Sequence, residues 1–190
     1  MKNIFIKICI FCIFAFVIFF GDNSLIHATS DDKFCTVCHE WMDPMVEAYG
    51  QSIHGGANNH GFKASCTSCH LPNDSYVKYV FKKGLNGISE ATHMVFNDAK
   101  EMDWQGNRKN REEFVYDSGC ISCHQTILDI NSSNQNINDM HNLYAASIQN
   151  KDKKISCVSC HKTVGHKNLG KILYEIKHPP VGDWGDEIKR

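Results

Sequence analysis

A mainly α-helical domain with much irregular loop, set behind an N-terminal hydrophobic helix, is what the 190-residue sequence predicts. Three observations carry that expectation. The chain opens on an apolar run from Ile8 to Phe20, preceded by Lys2 and Lys7. Further on, apolar residues recur at helical spacing in short stretches broken by Gly, Asn and Pro turns. Between those stretches one pentapeptide is written four times: Cys35-Thr36-Val37-Cys38-His39, Cys66-Thr67-Ser68-Cys69-His70, Cys120-Ile121-Ser122-Cys123-His124 and Cys157-Val158-Ser159-Cys160-His161.

The pentapeptide sets the chemistry. Two thiols three positions apart can form thioether bonds to the two vinyl groups of one haem, and the next residue turns its imidazole onto the iron. A single Cys-x-x-Cys also serves zinc or dithiol redox chemistry, and a zinc or disulfide scaffold is the competing reading. Four copies, each followed by His and together using eight of the ten Cys, point to four covalently bound haem c groups in a multihaem cytochrome c domain. Cys35, Cys38, Cys66, Cys69, Cys120, Cys123, Cys157 and Cys160 then tether the haems, with His39, His70, His124 and His161 as proximal ligands.

Composition agrees with a thin polypeptide coat over cofactors. With 22% charged residues and a negative mean hydropathy, a large aliphatic core is not expected, and haem supplies the missing apolar material. A formal charge of -1 gives no basis for a nucleic-acid partner. Seven His remain beyond the proximal four: His27, His54, His60, His93, His141, His166 and His178.

In chain order, residues 1–28 form an anchor or signal segment, 29–170 the tetrahaem domain and 171–190 a C-terminal tail. The thirteen-residue apolar run falls between a signal h-region of about 7–15 residues and a spanning helix of about 20. Ile26-His27-Ala28 would serve as a cleavage site, and Lys7 can snorkel in an uncleaved helix. Either way the basic N-terminus stays inside and the haem domain lies outside the cytoplasm. Cys9 and Cys12 repeat the thiol spacing without a following His and are read as packing residues.

Asp43-Pro44 reads as a helix start, with the helix running through Met45, Val46, Tyr49 and Ile53 to stop before Gly55-Gly56. His54 at its end is placed to ligate a neighbouring iron, whereas His60 lies in a polar loop. Tyr76 to Lys83 is expected as a short helix ended by Gly84, and Ser89 to Met102 as a second one capped by Ser89. Lys78, Lys82 and Lys83 form a solvated basic face or meet lipid headgroups, haem propionates or a quinol oxygen. His93 is either an iron ligand or a packed structural His. Arg108 to Glu113 is a charged, solvated helix start, Asp129 to Asp139 a loop, and Met140 to Gln149 a helix carrying His141. His166 follows His161 too closely to share its iron, so it reaches a different haem. The tail with Pro179-Pro180 is extended, and His178 is not a ligand.

With these residues in view, the domain resembles the tetrahaem NapC/NirT family of membrane quinol dehydrogenases and its NrfH branch. The likeness covers about Asp32 to Leu169. It rests on Asp32-Lys33-Phe34-Cys35, His39-Glu40, Ser52-Ile53-His54, Ala64-Ser65-Cys66, Cys69-His70-Leu71-Pro72, Met140-His141, Cys160-His161-Lys162 and Gly165-His166-Lys167. The resemblance implies an uncleaved single N-terminal anchor in the cytoplasmic membrane and oxidation of quinol at the first haem. It implies electron transfer through four packed haems to a periplasmic multihaem or molybdenum reductase of respiratory nitrogen metabolism, in a homo- or hetero-oligomer. It also implies that His54, His141 and His166 are distal ligands, that Lys78 is the lysine near the quinol site, and that His93 falls near a family His.

One departure bears on the first haem. Some members ligate it through a Met two residues after the motif His, where this chain has Trp41, with Met42 one place later. Met42 then takes that role with a local shift, or another ligand does. Two other functions compete: a soluble extracytoplasmic tetrahaem shuttle without quinol oxidation, and a haem enzyme with an open iron reducing a small nitrogen or sulfur oxide.

Overall fold

The computed structural model describes residues 24, 26–37, 42–96, 102–150 and 155–179, and among them there are helices and loops but no strand. In order these are α1 (Asp32–Val37), α2 (Asp43–Gly50), α3 (Cys66–His70), α4 (Tyr76–Phe96), α5 (Trp104–Lys109), α6 (Asp117–Cys123), α7 (Gln135–Gln149), α8 (Cys157–Cys160) and α9 (Leu169–Lys177). Two 3-10 turns lie at Arg111–Glu113 and Ile127–Asp129. The mainly helical expectation is met. The expected N-terminal anchor, Cys9, Cys12, Cys38, His39, Trp41, Lys100 and the end of the tail lie outside the described residues. Among the described residues no helix is long and apolar enough to cross a membrane.

Two of the pentapeptides open short helices, α3 and α8, and a third, from Cys120, closes α6. Ser65 caps α3, its Oγ accepting from the Ser68 N–H at 3.2 Å, and the Ser156 N–H donates to Ser159 Oγ at 3.1 Å beside α8. These helices end because the backbone turns away at Leu71, His124 and His161. The turn leaves each motif His at a helix end, free to point away from its own backbone.

Packing between elements is sparse and local. Helix α2 lies against α9, with Ala48, Leu169 and Ile172 fully buried and Met45 and Leu173 against them. Helix α3 meets α6 at Gly119, where a Cβ would stand 1.9 Å from the Ser68 carbonyl oxygen, so only Gly permits the approach. Helix α8 is held by Arg111, whose Nε donates to the Val158 carbonyl at 2.6 Å and whose guanidinium reaches the Ser159 carbonyl at 3.3 Å. Beyond these contacts the buried apolar set among the described residues adds Tyr49, Leu71, Tyr144 and Val158 with Pro44 and Pro72, while many large apolar side chains are exposed. Exposed apolar surface costs about 25 cal/mol per Å². A chain that leaves so much of it uncovered is built as a shell around something apolar.

Several expected boundaries move. Helix α2 starts on Met42 as N-cap with Pro44 in its first turn, and it ends at Gly50 instead of reaching Ile53. The pair of helices expected around Gly84 is one continuous helix, α4, and Ser89 caps nothing. Each Gly costs about 1 kcal/mol inside a helix, but Val77, Phe81, Leu85, Ile88 and Val95 keep one helical phase across Gly84 and Gly87. Helix α7 begins at Gln135, inside the expected loop, because the Asn134 side chain accepts from the Asn136 N–H at 3.0 Å. The expected solvated helix start at Arg108 to Glu113 is instead the end of α5 followed by a 3-10 turn, with Arg111 turned inward. Helix α9 replaces the first part of the expected extended tail, since Leu169 and Ile172 have Ala48 to pack on.

Candidate cofactor cavity

One cavity of ≈ 2040 Å³ runs through the middle of the shell, and the motif residues line it: Cys35, Cys66, Cys69, His70, Cys120, Cys123, His124, Cys157, Cys160 and His161. Single small-ligand pockets measure about 300–1,000 Å³. This one has room for more than one such group. His54, His141, His166 and Met42, all distant from one another in sequence, also line it.

Carboxylates place the motifs in register. Asp32, three residues before Cys35, accepts from the Cys66 N–H at 2.8 Å, and Asp117, three before Cys120, accepts from the Cys157 N–H at 2.9 Å. The thiols of Cys35 and Cys66 hydrogen-bond one another, as do those of Cys120 and Cys157. That bond draws the Cys35 thiol down to about 7 and, with burial, pushes the Cys66 thiol up; Cys120 and Cys157 repeat the pattern. Among the described residues all motif cysteines are free of disulfides. Asp32 is itself anchored by Lys63 at 2.9 Å; burial works against its charge, yet the bonds from Lys63 and Cys66 win and hold its carboxyl below the usual range.

The imidazoles stand in three facing pairs. Ring centroids are 6.1 Å apart for His54 and His124, 6.2 Å for His70 and His166, and 6.3 Å for His141 and His161. Two imidazoles binding one metal ion from opposite sides, with metal–nitrogen bonds of about 2.0–2.1 Å, have centroids roughly 6 Å apart. Each pair joins one motif His to one of the three His expected as distal ligands.

In three of the six rings the second nitrogen is engaged. His70 Nδ1 bonds the Phe114 carbonyl at 2.8 Å, His141 Nδ1 the Ile137 carbonyl at 2.8 Å, and His166 Nδ1 the Met45 carbonyl at 3.1 Å. A carbonyl partner makes Nδ1 the protonated nitrogen and leaves Nε2 as the free donor for a metal. His54 Nδ1 is buried without a partner. Burial, reinforced by the neighbouring His70, holds His166 down to about 4, and burial lowers His70 as well. Both rings are therefore neutral at neutral pH, the form that ligates metal.

The remaining expected site residues lie apart from these pairs. Met42, the N-cap of α2, borders the cavity. Lys78 is exposed and ion-paired with Asp74 at 2.5 Å, one turn back on the surface, while Lys82 and Lys83 border the cavity. His93 is exposed in the last turn of α4 and is absent from the cavity wall. His60 lies on the cavity rim, its N–H donating to Asn58 Oδ1 at 2.8 Å, and His178 stacks on Tyr174 at 4.3 Å. Asp117, Tyr144, Arg111 and Gly119 have structural roles that the sequence motifs alone do not assign. Asp117 was visible as the repeat of Asp32, both lying three residues before the first Cys of a motif. Arg111 left no such sign.

Covalently bound haem c fits this donor set: free thiols in pairs, imidazoles paired at the centroid spacing of two ligands on one metal, and an apolar shell around them. A helical shell of this kind defines a c-type cytochrome, an electron-transport protein. The comparison with known proteins makes the class specific. The chain matches the NapC/NirT cytochrome c family, N-terminal region, over residues 1–171, and belongs to that family. It is 30% identical to the cytochrome c-type protein TorY of Escherichia coli O157:H7 over 74% of this chain and 38% of that protein. It is 26% identical to the cytochrome c-type protein NapC of Paracoccus pantotrophus, over 80% of this chain and 65% of that one. It is 27% identical to the denitrification system component NirT of Stutzerimonas stutzeri, over 81% and 77%. The chain thus spans less than two thirds of the first two. No solved structure matches it significantly.

Proposed function

We propose that this chain is a membrane-anchored tetrahaem electron carrier that takes electrons from quinol and delivers them outside the cytoplasm to a periplasmic reductase of respiratory nitrogen metabolism. The three facing His pairs carry the reading. In it, Cys66, Cys69, His70 and His166 would hold one haem, Cys120, Cys123, His124 and His54 a second, and Cys157, Cys160, His161 and His141 a third. Cys35, Cys38, His39 and Met42 would hold the fourth. His93 has no place in these four sets. Bound haem supplies reversible one-electron chemistry at iron.

The polypeptide does the rest. Asp32 and Asp117 fix successive motifs side by side and so bring the attachment points of neighbouring motifs together. Carbonyl bonds to Nδ1 orient the imidazoles. Quinol oxidation also releases two protons. Lys78, held by Asp74, is the polar group assigned to the quinol oxygen, and the carboxylate beside it is the proton acceptor. Support for the nitrogen-respiration partner comes from the denitrification relative NirT and from the NapC relative. Support for the anchor comes from the apolar run Ile8 to Phe20.

The test is reduction of the purified, membrane-embedded protein by a menaquinol analogue, followed by haem absorbance. Reduction to a substantial fraction of the dithionite level is expected. Full reduction by dithionite with none by the quinol analogue would remove quinol oxidation and leave an electron shuttle.

A further inference from the structure

Helix α4 is amphipathic in the wrong sense for a soluble domain. On its 21 residues, the partly covered positions are Tyr79, Lys82, Lys83 and Asn86, which lie on one side with Val80, and it buries nothing fully. The opposite side carries Val77, Phe81, Leu85, Ile88 and Val95 in one helical phase, with Phe81, Ile88 and Val95 each about two-thirds exposed or more at 67%, 68% and 73%. Polar residues thus face the protein body and apolar ones face out. Val77 and Phe81 border the haem cavity, but Leu85, Ile88 and Val95 do not, so cofactor does not cover them.

The attachment of α4 indicates what does. Lys83 Nζ donates to the Thr29 carbonyl and to Ser30 Oγ, both at 2.8 Å, and the Tyr79 hydroxyl bonds Ser30 Oγ at 3.0 Å. Ser30 stands ten residues beyond Phe20, the end of the apolar run. Ten residues reach about 15 Å as helix and about 35 Å fully extended. Helix α4 is therefore tied within that reach of the point where the apolar run ends. Lys78, Lys82, Lys83 and Glu90 make it too polar to span a bilayer, and it is not among the helices able to cross one. An outward apolar stripe edged by Lys78 and Lys82 is the pattern of a helix lying in the plane of the interface, with lysines at headgroup level.

We infer that α4 is a second membrane contact, lying in the headgroup–acyl boundary with Val77, Phe81, Leu85, Ile88 and Val95 in the lipid and its basic edge toward anionic headgroups. The inference rests on the proposed reading that residues 8–20 anchor the chain. It gives the domain two fixed points on the bilayer, which sets its orientation and keeps the cavity rim at Val77 and Phe81 against the membrane.

The test uses the full-length haem-loaded protein in vesicles of phosphatidylethanolamine and phosphatidylglycerol. A benzophenone amino acid replaces Ile88 in one variant and Glu90, on the other side of α4, in another. Haem absorbance confirms that both are folded, and illumination followed by mass spectrometry identifies the adducts. Phospholipid adducts at position 88 and none at 90 are expected. Adducts at 88 to a second copy of the chain or to another protein, or no lipid adduct at 88, would overturn the inference. Reduction by the menaquinol analogue is measured on the same vesicles: quinol reduction without lipid adducts defeats this contact alone, and lipid adducts without quinol reduction defeat the proposed function alone.

Discussion

Residues 32–70 and residues 117–161 pass through the same stations: Asp-x-x-Cys-x-x-Cys-His, then Tyr-x-x-Ser-Ile at Tyr49 and Tyr144, then Ser-Cys-x-Ser-Cys-His. In both halves the Asp accepts from the N–H of the first Cys of the second motif, and the Tyr and Ser are buried. The halves differ in where the remaining histidines of the three pairs fall. His141 stays within its own half, three residues before Tyr144, and faces His161. His54, five residues after Tyr49, faces His124 of the other half, while His166, just past the second half, faces His70 of the first. The repeated parts build the scaffold of each half. The unrepeated His54 and His166 cross over and tie the halves together, while the second half forms the His141–His161 pair by itself.

The seam between halves is where the comparison breaks most severely. At Gly119 an added methyl meets the Ser68 carbonyl at 1.9 Å, whereas its counterpart in the first half, Phe34, is half exposed. Gly119→Ala is expected to cost about 3 kcal/mol and to cut the yield of haem-loaded protein, with Phe34→Ala close to neutral. Equal melting temperatures for the two variants would contradict a seam at α3 and α6.

Next come the two carboxylates. A charge-assisted hydrogen bond contributes about 1.5–3 kcal/mol, and Asp32→Asn and Asp117→Asn should each lower stability by about that amount in thermal melts of the holoprotein. Asp32 also has a pH signature, because its folded value lies below its ordinary 3.8. Its contribution is fully present above that pH and is lost as the pH falls toward the lowered native value. Acid melts of Asp32→Asn should therefore be less pH-dependent below about pH 4 than wild type; an unchanged slope would count against the Lys63–Asp32 clamp.

The tyrosines give a smaller contrast. The Tyr144 hydroxyl donates to Asp117 at 3.0 Å, while that of Tyr49 donates to the backbone carbonyls of His54 and Ala64. Tyr144→Phe and Tyr49→Phe should each cost about 1 kcal/mol, with Tyr144→Phe the larger because its acceptor is charged. Smallest in energy but sharpest in assignment is the redox order. Carbonyl partners on the Nδ1 of His70 and His166 raise their donor strength and favour ferric iron, and His54 has none. In a potentiometric titration, the low-spin signal lost in His54→Ala should be of higher potential than the one lost in His166→Ala. The reverse order would break the pairing.

The chemistry of the site was legible in the sequence because covalent attachment demands a fixed spacing, and Cys-x-x-Cys-His is local. The family resemblance implies His54, His141 and His166 as distal ligands but does not pair them, since which rings lie together is set by the crossing of two halves distant in sequence. Helix limits were read less well. Gly84 signals a stop locally, yet the apolar phase of α4 continues through it, and α9 forms only because Ala48 offers a surface for Leu169 and Ile172. Arg111 looked like one charge in a solvated cluster; its role depends on the carbonyls of Val158 and Ser159, far along the chain.

The central claim is that each Cys-x-x-Cys-His holds a haem by covalent bonds. Intact-mass spectrometry of the purified chain tests it most directly: the account predicts the polypeptide mass plus four haems, and a mass carrying fewer, or none, would contradict it.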